Sequence, residues 1–292
     1  FRHFLRLYQL VQAKSLETAS IKCHTKGMSK NACPQSPVNE VSIEFGRLEE
    51  GLVISRPNRF LAVVQLGKHV IQAHVPDPGR LEELLFPSNK VMVRDIRSQK
   101  NIQKRSNRKT DYDLVLASSQ GVWVCVDTRY PNALFKQAAQ KEALSAFHGY
   151  TDIKSEVGLN KVMEGSSLKP IPDQGKRKTP ISRFDFMLQG PGKKPAVVEV
   201  KSVSLCADGV GLFPDAPTER GARHLRELKH LFSDKLDTYV VFIAQREDIT
   251  TVSANIKTDP GFAKALNEAI QAGVQVLAYR CIVTPQQTVL DP

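Results

Sequence analysis

Cysteine is scarce in this chain and never paired. Its five copies, Cys23, Cys33, Cys125, Cys206 and Cys281, are scattered from end to end. None has the spacing of a zinc knuckle or a redox dithiol, which argues against a disulfide scaffold and a thiolate metal site. A reducing cytoplasm is the expected compartment. Long apolar runs are missing too. Nothing approaches the roughly 20 residues a membrane helix needs. The opening ten residues are interrupted by Arg6 and followed by no convincing cleavage site, so they make a poor signal peptide. Acidic residues run short, 30 against 41 Lys and Arg, a net charge of +11. That surplus favours polyanionic partners, because each neutralised phosphate releases a counterion. Many basic proteins nevertheless bind no nucleic acid. No internal repeat is present.

What is there suffices for two units, since 292 residues can build a sizeable core. Residues 1–43 are mixed and polar and stay unassigned. The first methionine is Met28, the expected translation start, which would make the preceding residues upstream read-through; residues 1–43 are otherwise read as a disordered tail. Residues 44–128 read as β-rich. Strand patterns at 59–65 and 69–75 flank Leu66-Gly67-Lys68, a hairpin signal. A short helix is expected at 80–85, and further strands at 90–94, 111–117 and 121–126. Five short strands with one interposed helical turn fit a small OB-like barrel. Residues 94–109 hold seven basic residues and one acid, Arg105 and Lys109 among them. A solvated loop and a phosphate-contacting loop both fit.

From 129 to 285 the pattern turns α/β. Helical spacing covers 132–147, 218–232 and 260–272, and strands are expected at 153–159, 238–245 and 274–279. A Gly-, Pro- and Lys-rich stretch at 163–178 reads as a hairpin insertion. Two apolar stretches carry charges that are costly unless paired or metal-bound. One is Arg183-Phe184-Asp185-Phe186-Met187-Leu188, the other Ala196-Val197-Val198-Glu199-Val200-Lys201. Side chains alternate along a strand. Ala196, Val198 and Val200 therefore share one face, and Glu199 and Lys201 the other. Phe184, Phe186 and Leu188 are expected in the core, with Asp185 and Arg183 pointing away.

Helix, strand, strand with Asp, strand with Glu-x-Lys, helix, strand is the order of a PD-(D/E)xK nuclease core. In that arrangement Asp185 and Glu199 would coordinate Mg²⁺ or Mn²⁺ with the Val200 carbonyl. Lys201 would orient water or offset negative charge. Glu142, on the preceding helix, would assist as an additional carboxylate. An Asp followed fourteen residues later by Glu-x-Lys also arises by chance, and Glu142 fits an exposed helix position equally well. Arg220, Arg223, His224 and Arg226 open a helix where amides and cations can meet phosphate, or pair with Glu219 and Glu227. Gln245 and Arg246 end a strand beside the site and, with Arg183, are DNA-contact candidates. Phe60 is a candidate for base stacking. Trp123 fits core packing better, and His74 fits a hydrogen bond within its own turn.

The run Phe213-Pro214-Asp215-Ala216-Pro217-Thr218-Glu219-Arg220-Gly221-Ala222-Arg223-His224 resembles the signature of the sugar fermentation stimulation protein A family. Family-like blocks at 59–62, 74–79, 142–144, 182–186, 199–203, 242–246, 259–260 and 273–279 fall in the same order, so the resemblance spans about residues 44–283. It implies an N-terminal OB-like domain, a C-terminal nuclease-like domain, DNA binding, and a role in sugar (maltose) utilisation. Little sequence specificity is expected, since the chain shows no helix-turn-helix signature. The family's acidic and lysine positions map onto Glu142, Asp185, Glu199 and Lys201. Two functions stay open: a metal-dependent nuclease, and a non-enzymatic DNA-binding transcriptional regulator of sugar metabolism. No membrane partner is expected, and the oligomeric state is open, a homodimer included.

Overall fold

The computed structural model describes residues 19–24, 40–97, 109–164 and 182–292. Two short strands come first, β1 (Ser20–Lys22) and β2 (Ser42–Glu44). The barrel follows: β3 (Glu49–Asn58), β4 (Leu61–Leu66), β5 (His69–His74), β6 (Lys90–Asp95) and β7 (Tyr112–Ser119). These strands lie in the order β5-β4-β3-β6-β7, and a parallel β5–β7 pairing at Ala73↔Tyr112 and His74↔Asp113 closes the cylinder. Closure removes the sheet edges that would otherwise need protection. The strand alternation explains the interior: Val53, Val64, Ala73, Val91, Val93 and Leu114 point in and are buried. β8 (Val122–Cys125) extends the sheet from β7.

The expected helix at 80–85 is a single hydrogen-bonded turn. Both Leu84 and Leu85 donate backbone N–H to the Leu81 carbonyl, but Leu81 sits at φ 47°, outside helical geometry. Burial of Leu81, Leu84 and Leu85 as a plug in the barrel decides the conformation here.

The second unit is a seven-stranded sheet in the order β2-β17-β16-β14-β11-β10-β9. Its elements are α1 (Arg129–Gln140), β9 (Asp152–Gly158), α2 (Leu159–Glu164), β10 (Arg183–Gln189), β11 (Ala196–Val203), β12 (Cys206–Ala207), β13 (Val210–Phe213), α3 (Glu219–Leu231), β14 (Asp237–Ala244), β15 (Thr251–Ala254), α4 (Pro260–Gln271), β16 (Gln275–Val283) and β17 (Gln287–Asp291). β11, β14 and β16 run parallel at the centre. Such strands are buried on both faces: Val241 and Ile243 pack with Leu134 and Phe135 of α1, while Val240 and Phe242 pack with Leu225 of α3 and Leu266 of α4.

The helices start where capping chemistry allows. The Thr218 hydroxyl accepts the Gly221 N–H at 3.0 Å, and the Asp259 carboxylate accepts those of Phe262 and Thr218, both at 2.8 Å. α1 ends at Gln140, seven residues before the helical spacing does. Glu142 follows with φ 51°, which breaks the helix ladder.

The short elements β1, β2, β12, β13, β15, β17 and α2 went unread in the sequence. So did the ten-residue β3, where exposed Leu52 and Ile54 break the alternation. β3 fills the barrel place expected for 121–126, which extends the sheet as β8. β12, β13 and β15 form a small sheet with β1, so residues 20–22, unassigned above, pair with Thr251–Ser253. β2 and β17 pair with each other at the edge of the large sheet, outside the 129–285 limits drawn above. Residues 165–181 and 98–108 lie outside the described residues, and with them most of the expected insertion at 163–178 and Arg105.

The two units are joined by more than a linker. The Cys125 N–H donates to the Gln245 carbonyl (3.0 Å), and Gln245 Nε2 donates to the Asp127 carbonyl (3.1 Å). Arg246, 2% exposed, donates to the Ser204 carbonyl and the Ser119 hydroxyl and pairs with Asp248. Met92, Val115, Leu116 and Cys125 of the barrel share one apolar core with α1 and the large sheet.

Candidate functional site

Pairing between β10 and β11 runs from Leu188↔Ala196 to Phe186↔Val198 and goes no further. At the next position β10 diverges, and the Asp185 side chain takes over the role of the missing ladder acceptor. Its Oδ2 accepts the Val200 N–H at 2.8 Å. Phe184 beyond the divergence packs in the core under α3, while Phe186 and Leu188 pack in the core under α1. The expectation that all three face one core is therefore corrected: the splay of β10 turns Phe184 to the other side.

Glu199 and Lys201 share a face of β11, as alternation requires. Lys201 Nζ lies 2.5 Å from Glu199 Oε1, and His224 Nδ1 of α3 lies 2.6 Å from the same oxygen. Glu199 is 4% exposed, and its Oε2 is buried without a hydrogen-bond partner. A buried carboxylate oxygen left unpaired is costly unless something else meets it. From α1, Asn132 Nδ2 donates to Asp185 Oδ1 at 2.9 Å. Helices on both sides of the sheet thus supply polar groups to one cluster.

Electrostatics separate the two carboxyls. Burial pushes Asp185 up to about 6, and the neighbouring Glu199 charge adds to that, against the pull of Lys201, the Val200 N–H and Asn132. Burial would raise Glu199 too. The Lys201 ammonium and the hydrogen bond and charge of His224 outweigh it and hold Glu199 at about 2. Glu199 is therefore the firmly ionised member, and Asp185 the one that feels crowding.

The cluster floors a cleft of about 450 Å³ between the two units. The barrel contributes Arg59, Asp77, Pro78 and Gly79, and the segment before α3 contributes Pro214, Asp215 and Arg220. Burial pushes Asp77 up to about 7; nearby Asp215 adds to this, and the Gly79 N–H, donating at 2.7 Å, opposes it. Gly79 permits a close approach: a Cβ there would clash with the Asp215 carboxylate.

Of the four proposed catalytic residues, three come together: Asp185, Glu199 and Lys201. Glu142 does not join them. It lies past the end of α1, exposed, and accepts the Gly149 N–H at 2.9 Å. Asn132 holds the α1 position at the site instead. Its signal was legible as a polar residue three and seven positions before buried Phe135 and Ala139 on one helix face. The DNA-contact candidates divide. Phe60, Arg220, Arg183 and Lys109 are exposed, Arg183 within 3.4 Å of Glu156. His224 is 1% exposed and belongs to the Glu199 cluster, so it offers no surface contact. Gln245 and Arg246 are buried in the junction between the units, where they hold backbone carbonyls and Asp248. Arg105 lies outside the described residues. Trp123 packs against the core, and His74 Nδ1 lies 3.2 Å from the Phe60 carbonyl.

Comparison with known proteins settles the lineage. Residues 54–126 match the SfsA N-terminal OB domain, and residues 171–287 match the sugar fermentation stimulation protein RE domain. A sugar fermentation stimulation protein homolog of Moorella thermoacetica is 42% identical over 80% of this chain and 89% of its own length. The chain belongs to the sugar fermentation stimulation protein family. The Desulforamulus reducens homolog is 37% identical over 84% of this chain and 91% of its own. Among solved structures, one of Pyrococcus furiosus SfsA in complex with Ca²⁺ matches with a TM-score of 0.68 and 26% identity, over 86% of this chain and 96% of that one. The family's two-part architecture, an OB domain followed by an α/β domain, is the one described above. Among the described residues no helix is long and apolar enough to cross a membrane.

Proposed function

We propose that this family member hydrolyses DNA phosphodiesters at the Asp185–Glu199–Lys201 cluster with a divalent metal, Mg²⁺ or Mn²⁺. The observation that carries the reading is the unpartnered, buried Oε2 of ionised Glu199 beside Asp185. That donor set fits a hard cation. Among the described residues no three His, Cys, Asp or Glu side chains form a ready-made cage, and Mg²⁺ commonly takes only one or two carboxylates, with water and substrate phosphate completing its shell. The Ca²⁺ complex of the Pyrococcus furiosus relative supports an oxygen-ligated site.

Asp185 and Glu199 would hold the ion. When bound, it supplies a lowered water pKa and offsets charge on the phosphate. The rest falls to the chain. Lys201, braced on Glu199, orients the attacking water and meets negative charge that builds on the phosphate oxygens. Water oxygen bonds to phosphorus, the bond to the leaving sugar oxygen breaks, and that oxygen takes up a proton as the water gives one up. Asn132 and the Val200 N–H hold the Asp185 carboxylate in place. Arg59 and Arg220 line the cleft where the sugar–phosphate chain would pass, and the +11 net charge favours approach of a polyanion irrespective of sequence.

The test is incubation of the purified chain with labelled DNA in Mn²⁺, Mg²⁺ or EDTA, beside Asp185→Ala. Cleavage that needs the metal and vanishes in the variant is the expected result. Salt-sensitive binding with no cleavage under any condition would instead favour the non-enzymatic regulator.

A further inference from the structure

We propose that the cleft admits polynucleotide only as an unpaired strand, led over Arg59 and Phe60 of the barrel to the Asp185–Glu199 floor. This rests on the nuclease reading and names its substrate class. Three independent observations carry it.

The first is size. A space of about 450 Å³ lies in the range of small-molecule pockets, roughly 300–1,000 Å³, room for about one or two nucleotides rather than a base-paired helix. The second is depth and rigidity. Glu199 is 4% exposed at the floor, so a phosphate must enter the cleft to reach it. The walls cannot swing apart as loosely tethered domains do, because Cys125, Gln245 and Arg246 bond across the junction and one apolar core spans it. A duplex, held at the rim, leaves its phosphates out of reach, and an unpaired strand does not.

The third is Phe60. It is 55% exposed, the residue after the cleft-lining Arg59, at the β3–β4 turn. Its backbone is tied down: its N–H donates to Asn58 Oδ1 at 2.9 Å and its carbonyl accepts the Val75 N–H at 3.0 Å. An exposed ring on a fixed turn, one residue along the chain from a cleft-lining arginine, suits stacking on a base that has lost its pairing partner.

Two measurements decide it. In Mn²⁺, one labelled strand is offered alone, in a blunt duplex, and in a forked duplex with one unpaired arm. The single strand and the unpaired arm should be cut about a hundredfold faster than the duplex interior, because unpairing has to precede entry. Equal cutting of interior duplex phosphates would overturn the proposal while leaving the nuclease reading intact. In EDTA, where no cleavage is expected, binding of a single-stranded 12-mer is compared for the parent, Phe60→Ala and Phe60→Leu, each with its melting temperature checked. Both variants should bind about fivefold or more weakly, with duplex binding unchanged. Unchanged single-strand binding would overturn the stacking route. If no DNA is cut in any form, the nuclease reading fails, and the EDTA comparison alone still decides for or against an unpaired-strand cleft.

Discussion

The two walls of the cleft carry acid pairs in opposite settings. On the sheet side, Asp185 and Glu199 sit with Lys201, His224 and Asn132, and Glu199 is held at about 2. On the barrel side, burial lifts Asp77 to about 7, and the charge of Asp215 from the segment before α3 adds to it. There the Arg56 guanidinium donates to the Gly79 and Arg59 carbonyls, and its charge pulls Asp77 down by less than burial pushes it up. The contrast is in ionisation: burial acts on both carboxyls, and the neighbouring charges decide which stays charged. Burial with Lys201 and His224 alongside leaves Glu199 ionised, its Oε2 buried and unpartnered. Burial without a cation bonded to the carboxyl leaves Asp77 with a pKa near neutral.

The largest effect that would break this comparison is catalytic. Glu199→Gln and Lys201→Ala should each lower metal-dependent cleavage on the order of 10³-fold, the first because it removes a charge that would hold the ion, the second because it removes the cation that would meet the reacting phosphate. Asp77→Asn, measured in the same single-turnover assay, should cost less than about tenfold. A loss as large as that of Glu199→Gln would make both walls catalytic.

Stability gives the next largest effect. A carboxyl whose folded pKa is raised contributes stability that is full below its unfolded value and lost as pH rises through the folded one. For Asp77 the window runs from about 4 to about 7. Asp77→Asn should therefore be more stable than the parent at pH 8 by about 2 kcal/mol, some 4–8 °C in Tm, and the gain should vanish at pH 4. Asp185→Asn should show a smaller gain of about 1–2 kcal/mol, developed between pH 4 and about 6. Thermal melts across pH check both. Glu199, held low, works in the opposite sense: its contribution is present above its unfolded pKa near 4.5 and fades as pH falls toward about 2.

Asn132→Ala should have a modest effect, about a fivefold loss of activity, the scale of a single neutral hydrogen bond of about 1 kcal/mol. Glu142→Ala should have the smallest, within error of the parent, since its carboxylate only accepts the Gly149 N–H.

Legibility followed length and burial. β11 and β14 were plain in the sequence because a buried parallel strand is apolar throughout, so Glu199 and Lys201 stood out against it. Four of the barrel strands, β4 to β7, were legible from their patterns and the Gly67 turn from its residues, whereas β3, with Leu52 and Ile54 exposed, was not. The end of α1 was not. Leu144 and Phe147 continue the helical spacing but are buried through a turn and a 3₁₀ segment, Ser145–Phe147. Periodicity cannot distinguish that route from a longer helix, and so Glu142 was placed on a helix it does not occupy. His224, Gln245 and Arg246 went astray for a related reason. A polar residue near a site reads as a surface contact until its burial is known, and these three bond inward to Glu199, Asp127 and Asp248. Asp77 and Asp215 lie 138 positions apart, so their approach through Gly79 became visible only in three dimensions.

The most direct measurement is a calorimetric titration of Mn²⁺ into the full chain at pH 7.5, beside Glu199→Gln and Asp77→Asn. One ion should bind the parent and Asp77→Asn alike and fail to bind Glu199→Gln. Binding that survives in Glu199→Gln and disappears in Asp77→Asn would contradict the account and move the metal to the opposite wall.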